Sequence, residues 1–337
     1  MTRIYAAPAP IICAAIIGRR NGDFMKYGIY FAYWEKEWNT EIVPYIRKVK
    51  ELGFDILEIS CASLVHTSAQ ELQILKETAA DNGVILTAGY GPGPSENLAS
   101  PDPAIVENAI TFYTDILQKL EYLQIHTIGG GIYSYWPVDY TRPIDKPADW
   151  ARSVTNVRKV GQIAEGCGVH YCLEVLNRFE GYLLNTAEEA KQFVEEVGLD
   201  SVMIMLDTFH MNIEEDNMAD AIRLAGNKLG HFHVGENNRR VPGKGKLPWA
   251  DIGAALREID YTGAVVMEPF VTQGGTVGKD IRIWRDLSHG ADHFRLDEDA
   301  AGSVAFLRHV FSGPYGRGSS GSRQMPASSR LARCPQE

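Results

Sequence analysis

Residues 169–207 read VHYCLEVLNRFEGYLLNTAEEAKQFVEEVGLDSVMIMLD, and the order of patterns in this stretch decides the fold. The first six residues are a short apolar run that closes on a glutamate. A polar loop follows. Residues 186–197 read as a helix, and residues 202–207 are a second short apolar run that closes on an aspartate. Strand, helix and strand in this order make a parallel crossover unit.

The same rhythm extends in both directions. Upstream, strands are expected at 26–34, 55–60, 84–88 and 126–130, and helices at 41–52, 68–82, 102–123 and 147–167. Gly53 and Gly83 are typical helix stops, and Ser68 is a candidate N-cap. Downstream, helices are expected at 218–225, 249–259 and 297–311, with strands at 229–233 and 264–268. That makes eight strand–helix pairs. Strict alternation predicts a parallel sheet, and eight units predict a closed α/β barrel, the (β/α)8 or TIM barrel. A doubly wound open sheet would want a glycine-rich phosphate turn after the first strand; the residues there are Trp34-Glu35-Lys36-Glu37-Trp38.

A single barrel domain is expected over residues 25–311. Residues 1–24 are read as an extension outside the fold. Their apolar segment, PAPIICAAIIG at 8–18, has the apolar character of a secretory signal, but only Arg3 precedes it while Arg19 and Arg20 follow it, the reverse of a signal's charge order. Residues 312–337 begin SGPYGRGSSGSRQMPASSR and are expected to be a disordered tail. No apolar run reaches the ~18 residues of a transmembrane helix, so no membrane partner is expected. The 33 basic and 43 acidic residues give a formal net charge of −10, which repels phosphate backbones and argues against nucleic acid. Cys13, Cys61, Cys167, Cys172 and Cys334 are odd in number and contain no C-x-x-C. Scattered thiols suit a reducing cytoplasm, and Cys61, Cys167 and Cys172 read as small buried hydrophobes.

Four consecutive expected strands close on a residue able to bind metal: Glu174, Asp207, His233 and Glu268. In this fold the strand C-termini open onto the active-site face. Three anions so close repel one another strongly unless a cation sits between them. Three oxygen donors and one imidazole suit one divalent ion per subunit, Mn²⁺ first, with Co²⁺ or Mg²⁺ as alternatives. His231 lies on the same face as His233 but one layer deeper, and is expected to be a hydrogen-bonded core histidine. Tyr30, Trp38, Trp136 and Phe270 fall near or past strand ends and are candidate pocket walls. Glu214, Glu215 and Arg240 are read as solvated surface groups.

The loops after these strands resemble the ketose 3-epimerases, the D-tagatose and D-psicose (D-allulose) 3-epimerases of the sugar isomerase/epimerase TIM barrels. EVLNRFE at 174–180, LDTFHMNIEE at 206–215, GHFHVGENNRRVPGKG at 230–245, MEPF at 267–270 and WRDLSHGAD at 284–292 carry the resemblance. It runs from about Met25 to Phe311 and leaves the two tails unexplained. It implies that Glu174, Asp207, His233 and Glu268 hold the metal, and that Glu174 and Glu268 are also the catalytic acid and base. It implies that Glu180, His210 and Arg239 grip the O1–O3 end of a ketohexose, with Trp38 and Trp136 as aromatic pocket residues. It further implies a homodimer or homotetramer. The expected reaction is C3 epimerisation of free ketohexoses, D-fructose to D-psicose and also D-tagatose and D-sorbose, through a cis-enediolate. Two rivals remain open on the sequence, an aldose–ketose isomerase on the same barrel and a non-catalytic sugar-binding protein. A barrel endonuclease would want a histidine-rich, multi-metal cluster and a basic face, and the nine histidines and the charge of −10 argue against it.

Overall fold

The computed structural model describes residues 25–313, so the readings made for residues 1–24 and for the tail after Gly313 lie outside the described residues, as do Cys13 and Cys334. Eight strands close into one parallel barrel in chain order: β1 (Lys26–Tyr30), β2 (Ile56–Ser60), β3 (Ile85–Gly89), β4 (Thr127–Gly130), β5 (His170–Glu174), β6 (Val202–Asp207), β7 (Leu229–Val234) and β8 (Ala264–Met267), which pairs back onto β1. The open-sheet alternative is thereby excluded. Among the described residues ten α-helices surround or rim it: α1 (Val43–Glu51), α2 (Ala69–Asn82), α3 (Pro103–Leu123), α4 (Lys146–Gly166), α5 (Ala187–Val197), α6 (Thr208–Glu214), α7 (Met218–Ala225), α8 (Trp249–Glu258), α9 (Gly275–Asp280) and α10 (His293–Phe311).

The local chemistry explains the boundaries. Ser68 accepts from the Glu71 amide while Glu71 reaches back to the Ser68 amide, a capping box that satisfies two otherwise unpaired donors at the start of α2. Gly83 ends that helix at φ 60°, where a side chain would be strained. The first strand is shorter than expected. Its pairing stops at Tyr30 against β2 and at Ile29 against β8, and residues 31–33 turn into a 3₁₀ segment. Those apolar residues are buried by the helix shell instead: the Tyr33 hydroxyl donates to the Leu296 carbonyl and the Trp34 indole to Asp297. Helix α10 begins four residues earlier than expected, because Asp292 caps it through the Arg295 amide.

Two helices stand where only loops were read. Helix α6 starts straight from β6, with the Asp207 carboxylate accepting from the Phe209 amide as its N-cap. Helix α9 stands just past β8. The expectation of solvated surface groups is corrected. The Glu214 side chain is only 5% exposed and accepts a forked pair of bonds from Arg178, while Glu215 accepts from the Ala187 amide at the start of α5. Arg240 is half-buried. Cys61 and Cys172 are buried as expected, whereas Cys167 is only partly so. None of the helices among the described residues is long and apolar enough to cross a membrane.

Candidate active site

The four strand-end residues meet. One ligand atom from each of Glu174, Asp207, His233 and Glu268 lies within 4.8 Å of the others. Glu174 and Asp207 are the last residues of β5 and β6, His233 is the penultimate residue of β7, and Glu268 follows β8 directly, its amide bonded to the Val234 carbonyl. Asp207 and His233 are almost wholly buried. Burial, then the neighbouring Glu268 carboxylate, pushes the Glu174 carboxyl well above the usual carboxylate range. His233 points Nδ1 at Glu268, 3.6 Å from Oε1, and that buried nitrogen has no hydrogen-bond partner. Three crowded carboxylate oxygens and one unpartnered imidazole nitrogen form a donor set that fits a divalent cation.

Above this cluster lies a cavity of about 280 Å³, large enough for a monosaccharide. Of the residues assigned to substrate from the sequence, Tyr30, Trp38, Trp136, Glu180, His210, Arg239 and Phe270 all line it. Phe270 sits edge-on to both Tyr30 and Trp38, with ring centroids 6.3 and 6.1 Å apart. Asp207 does not line the cavity; it lies beneath, held by α6.

The polar end of the cavity is built by the loops after β5 and β7 and by helix α6. The Asn177 amide donates to His210 Nδ1 at 3.2 Å, so that nitrogen is an acceptor and the proton sits on Nε2. Burial holds the His210 pKa below its ordinary value, although Glu180 and Asp207 pull it up. Its Nε2 lies 3.7 Å from Glu174 Oε1. Burial would raise the pKa of Glu180, but His210 and Arg239 hold it below the usual value, so the carboxylate stays ionised. Arg239 is buried at a left-handed φ of 63°. It reaches Glu268 at 3.0 Å and Asp207 at 3.4 Å, and stacks its guanidinium 3.8 Å from the centre of the Phe209 ring. The β7 loop that presents it is folded around Glu236, which is fully buried and accepts from the Gly243 amide and the Trp249 indole.

Several site residues were not found from the sequence. Phe209 stands inside LDTFHMNIEE with no sequence signal of its own. Asp280 and Ile281 also line the cavity, and Asp280 accepts from the Trp38 indole at 2.9 Å. Gly89, Gly91, Gly129, Gly130 and Gly131 form the wall on the β3–β4 side. Glu58, in mid-β2, is fully buried beneath the cluster, with Oε2 2.7 Å from His231 Nε2 and Oε1 2.6 Å from His233 Nε2. His231 is thus the hydrogen-bonded core histidine that its position predicted. The sequence signals for these residues were an acid inside an otherwise apolar strand and two clusters of glycines at the ends of β3 and β4.

Comparison with known proteins agrees with this geometry. A xylose isomerase-like TIM barrel family model matches residues 46–287. A D-psicose 3-epimerase of Enterocloster bolteae is 59% identical over 289 residues, which cover 85% of this chain and 96% of the relative. One from Agrobacterium fabrum is 54% identical over 289 residues, covering 86% of this chain and all of the relative. A crystal structure of D-psicose 3-epimerase from Clostridium cellulolyticum with D-tagatose superposes with a TM-score of 0.85 at 56% identity, covering 85% of this chain and 99% of that one. The chain belongs to the xylose isomerase-like TIM barrels and, within them, to the ketose 3-epimerases that include the D-psicose 3-epimerases.

Proposed function

We propose that this enzyme interconverts free ketohexoses at C3, D-fructose with D-psicose first and D-tagatose with D-sorbose as a further pair. The observation that carries this reading is the pair Glu174 and Glu268, whose carboxylates come from β5 and β8 to the floor of one cavity. Glu174, Asp207, His233 and Glu268 would hold one divalent ion per subunit, and their mixed oxygen and nitrogen donors support Mn²⁺, with Co²⁺ or Mg²⁺ as substitutes. Bound there, the ion supplies Lewis-acid polarisation of the C2 ketone and offsets charge on its oxygen.

The protein residues divide the remaining work. One glutamate takes the C3 proton; the C–H electron pair becomes the C2–C3 double bond, and the ketone oxygen takes up the negative charge of a cis-enediolate. His210 Nε2–H and the Arg239 guanidinium are donors beside that oxygen, already oriented by Asn177, Phe209 and Glu180. The other glutamate returns a proton to the opposite face of C3, inverting it, and the two exchange roles in the reverse direction. Glu180, His210 and Arg239 fix the O1–O3 end, while Trp38, Trp136, Tyr30 and Phe270 exclude water from the distal end. Aromatic walls discriminate weakly between hydroxyl configurations, which supports activity on several ketohexoses.

We place the activity in residues 25–311. Removing residues 1–24 and everything after Gly313 is expected to leave turnover and solubility unchanged; an insoluble or inactive product contradicts this. The free Cys61, Cys167 and Cys172 support a reducing cytoplasm, and the family resemblance supports a homodimer or homotetramer. The functional test is product identity. Metal-loaded enzyme given D-fructose should yield D-psicose. Glucose or mannose would point to an aldose–ketose isomerase, and no turnover to a sugar-binding protein.

A further inference from the structure

We propose that Glu58 is the positioning residue of the metal centre: its carboxylate fixes the His233 ring as the Nε2–H tautomer and so leaves Nδ1 as the lone-pair donor facing Glu268. The inference rests on the metal centre proposed above, and goes beyond it to a residue outside the ligand set.

Glu58 reaches across the barrel interior from β2 to β7, joining residues 175 positions apart in sequence. It is fully buried, and of the two His233 nitrogens Nε2 faces it while Nδ1, without a hydrogen-bond partner, faces Glu268. A carboxylate offers only lone pairs to a hydrogen bond, so the His233 nitrogen 2.6 Å from Oε1 is the donor. With its proton on Nε2, the neutral ring has its lone pair on Nδ1. The orientation of Glu58 is itself fixed. Oε2 accepts from Thr87 Oγ1 at 2.8 Å and meets His231 Nε2 at 2.7 Å. Three donors from β3 and β7 therefore hold both oxygens, and the carboxylate cannot turn away from His233. A metal-binding histidine whose other nitrogen bonds a carboxylate is held in one tautomer and made more basic, which commonly strengthens metal binding 10- to 100-fold.

Glu58, His231 and His233 could alternatively be a second cation site, since their ligand atoms also cluster. The distances argue otherwise. Atoms sharing a cation at about 2.0–2.2 Å sit roughly 3 Å or more apart, whereas these nitrogens lie 2.6 and 2.7 Å from their oxygens, at hydrogen-bond length.

The test uses the full chain. With ¹⁵N-histidine label and Mg²⁺ bound, two-bond ¹H–¹⁵N correlations should show His233 protonated on Nε2 and bare on Nδ1. Co²⁺ titrated against a competing chelator should bind Glu58→Leu 10- to 100-fold more weakly than wild type. Glu58→Gln, which keeps a carbonyl acceptor for His233, should recover most of that loss. A His233 ring protonated on Nδ1 would overturn the proposal, and needs no mutant to fold. So would a folded Glu58→Leu chain that binds Co²⁺ as wild type does, or a second ion per chain that disappears with Glu58. Failure of the wild-type chain to bind any divalent ion would instead overturn the metal centre itself.

Discussion

The mouth of the barrel has two unlike halves. Strands β5 to β8 deliver Glu174, Asp207, His233 and Glu268, and the segments beyond them add Glu180, His210 of α6 and Arg239. Strands β3 and β4 deliver Gly89, Gly129 and Gly130, with Gly91 and Gly131 just beyond. One half supplies charge and the other supplies room. At Gly130, φ is +126° and a Cβ would overlap the Tyr90 carbonyl oxygen; at Gly91 a Cβ would stand 3.1 Å from the Trp136 ring. Five glycines bring bare backbone to the wall facing the carboxylates, where Tyr90 is the side chain set among them. The comparison teaches that absence of side chains is as much a site feature as their presence, though only the second kind announces itself in sequence.

The charged half should fail first and hardest. Glu174→Gln and Glu268→Gln should each lower kcat by roughly 10³-fold or more while circular dichroism stays unchanged. A variant keeping a tenth of wild-type turnover would break the two-base account. The glycine half should fail through folding. Gly130→Ala meets both a forbidden backbone region and backbone oxygen, and is expected to cost at least about 2 kcal/mol in chemical denaturation. Unchanged stability there would show that the wall is not conformationally fixed.

Smaller effects sharpen the division of labour within the charged half. Arg239→Lys keeps the charge but loses the fork and the stacking on Phe209, so KM should rise about tenfold with a lesser change in kcat. The metal-free chain should show a stability that depends on pH in one direction. Burial, then Glu268, raises the Glu174 carboxyl above its ordinary 4.5; His233 is raised above 6.5 by Glu58 and Glu268, although burial opposes this. Both groups hold more protons folded than unfolded. Stability should therefore fall as pH rises from about 4.5 for Glu174 and from about 6.5 for His233. A divalent ion takes the place of those protons, so the Tm gain on adding Mn²⁺ should grow with pH. A gain that shrinks from pH 5 to pH 8 would contradict the cluster as the binding site.

The same contrast explains what could be read in advance. Eight strand–helix units and four ligating side chains at successive strand ends are periodic signals, and periodicity survives in a linear sequence. Glu58 does not announce itself, because one acid inside ILEIS has no partner nearer than 29 residues along the chain; its meaning comes only when closure brings His231 and His233 across the barrel. Helix α6 was hidden because TFHMNIE is only seven residues long and is started by Asp207, a side chain already assigned to metal. Asp280 escaped for a related reason. It ends a six-residue helix too short to show a period, and it reaches the cavity wall and the Trp38 indole only once the chain has folded.

The central claim is that a proton leaves and returns at C3, and heavy water tests it most directly. Enzyme loaded with Mn²⁺ is incubated with D-fructose in deuterated buffer, and both sugars are analysed by NMR. The account predicts deuterium at C3 of both D-fructose and D-psicose and none at C1. Deuterium at C1 with C3 untouched would contradict it, leaving the barrel in place and moving the chemistry to aldose–ketose isomerisation.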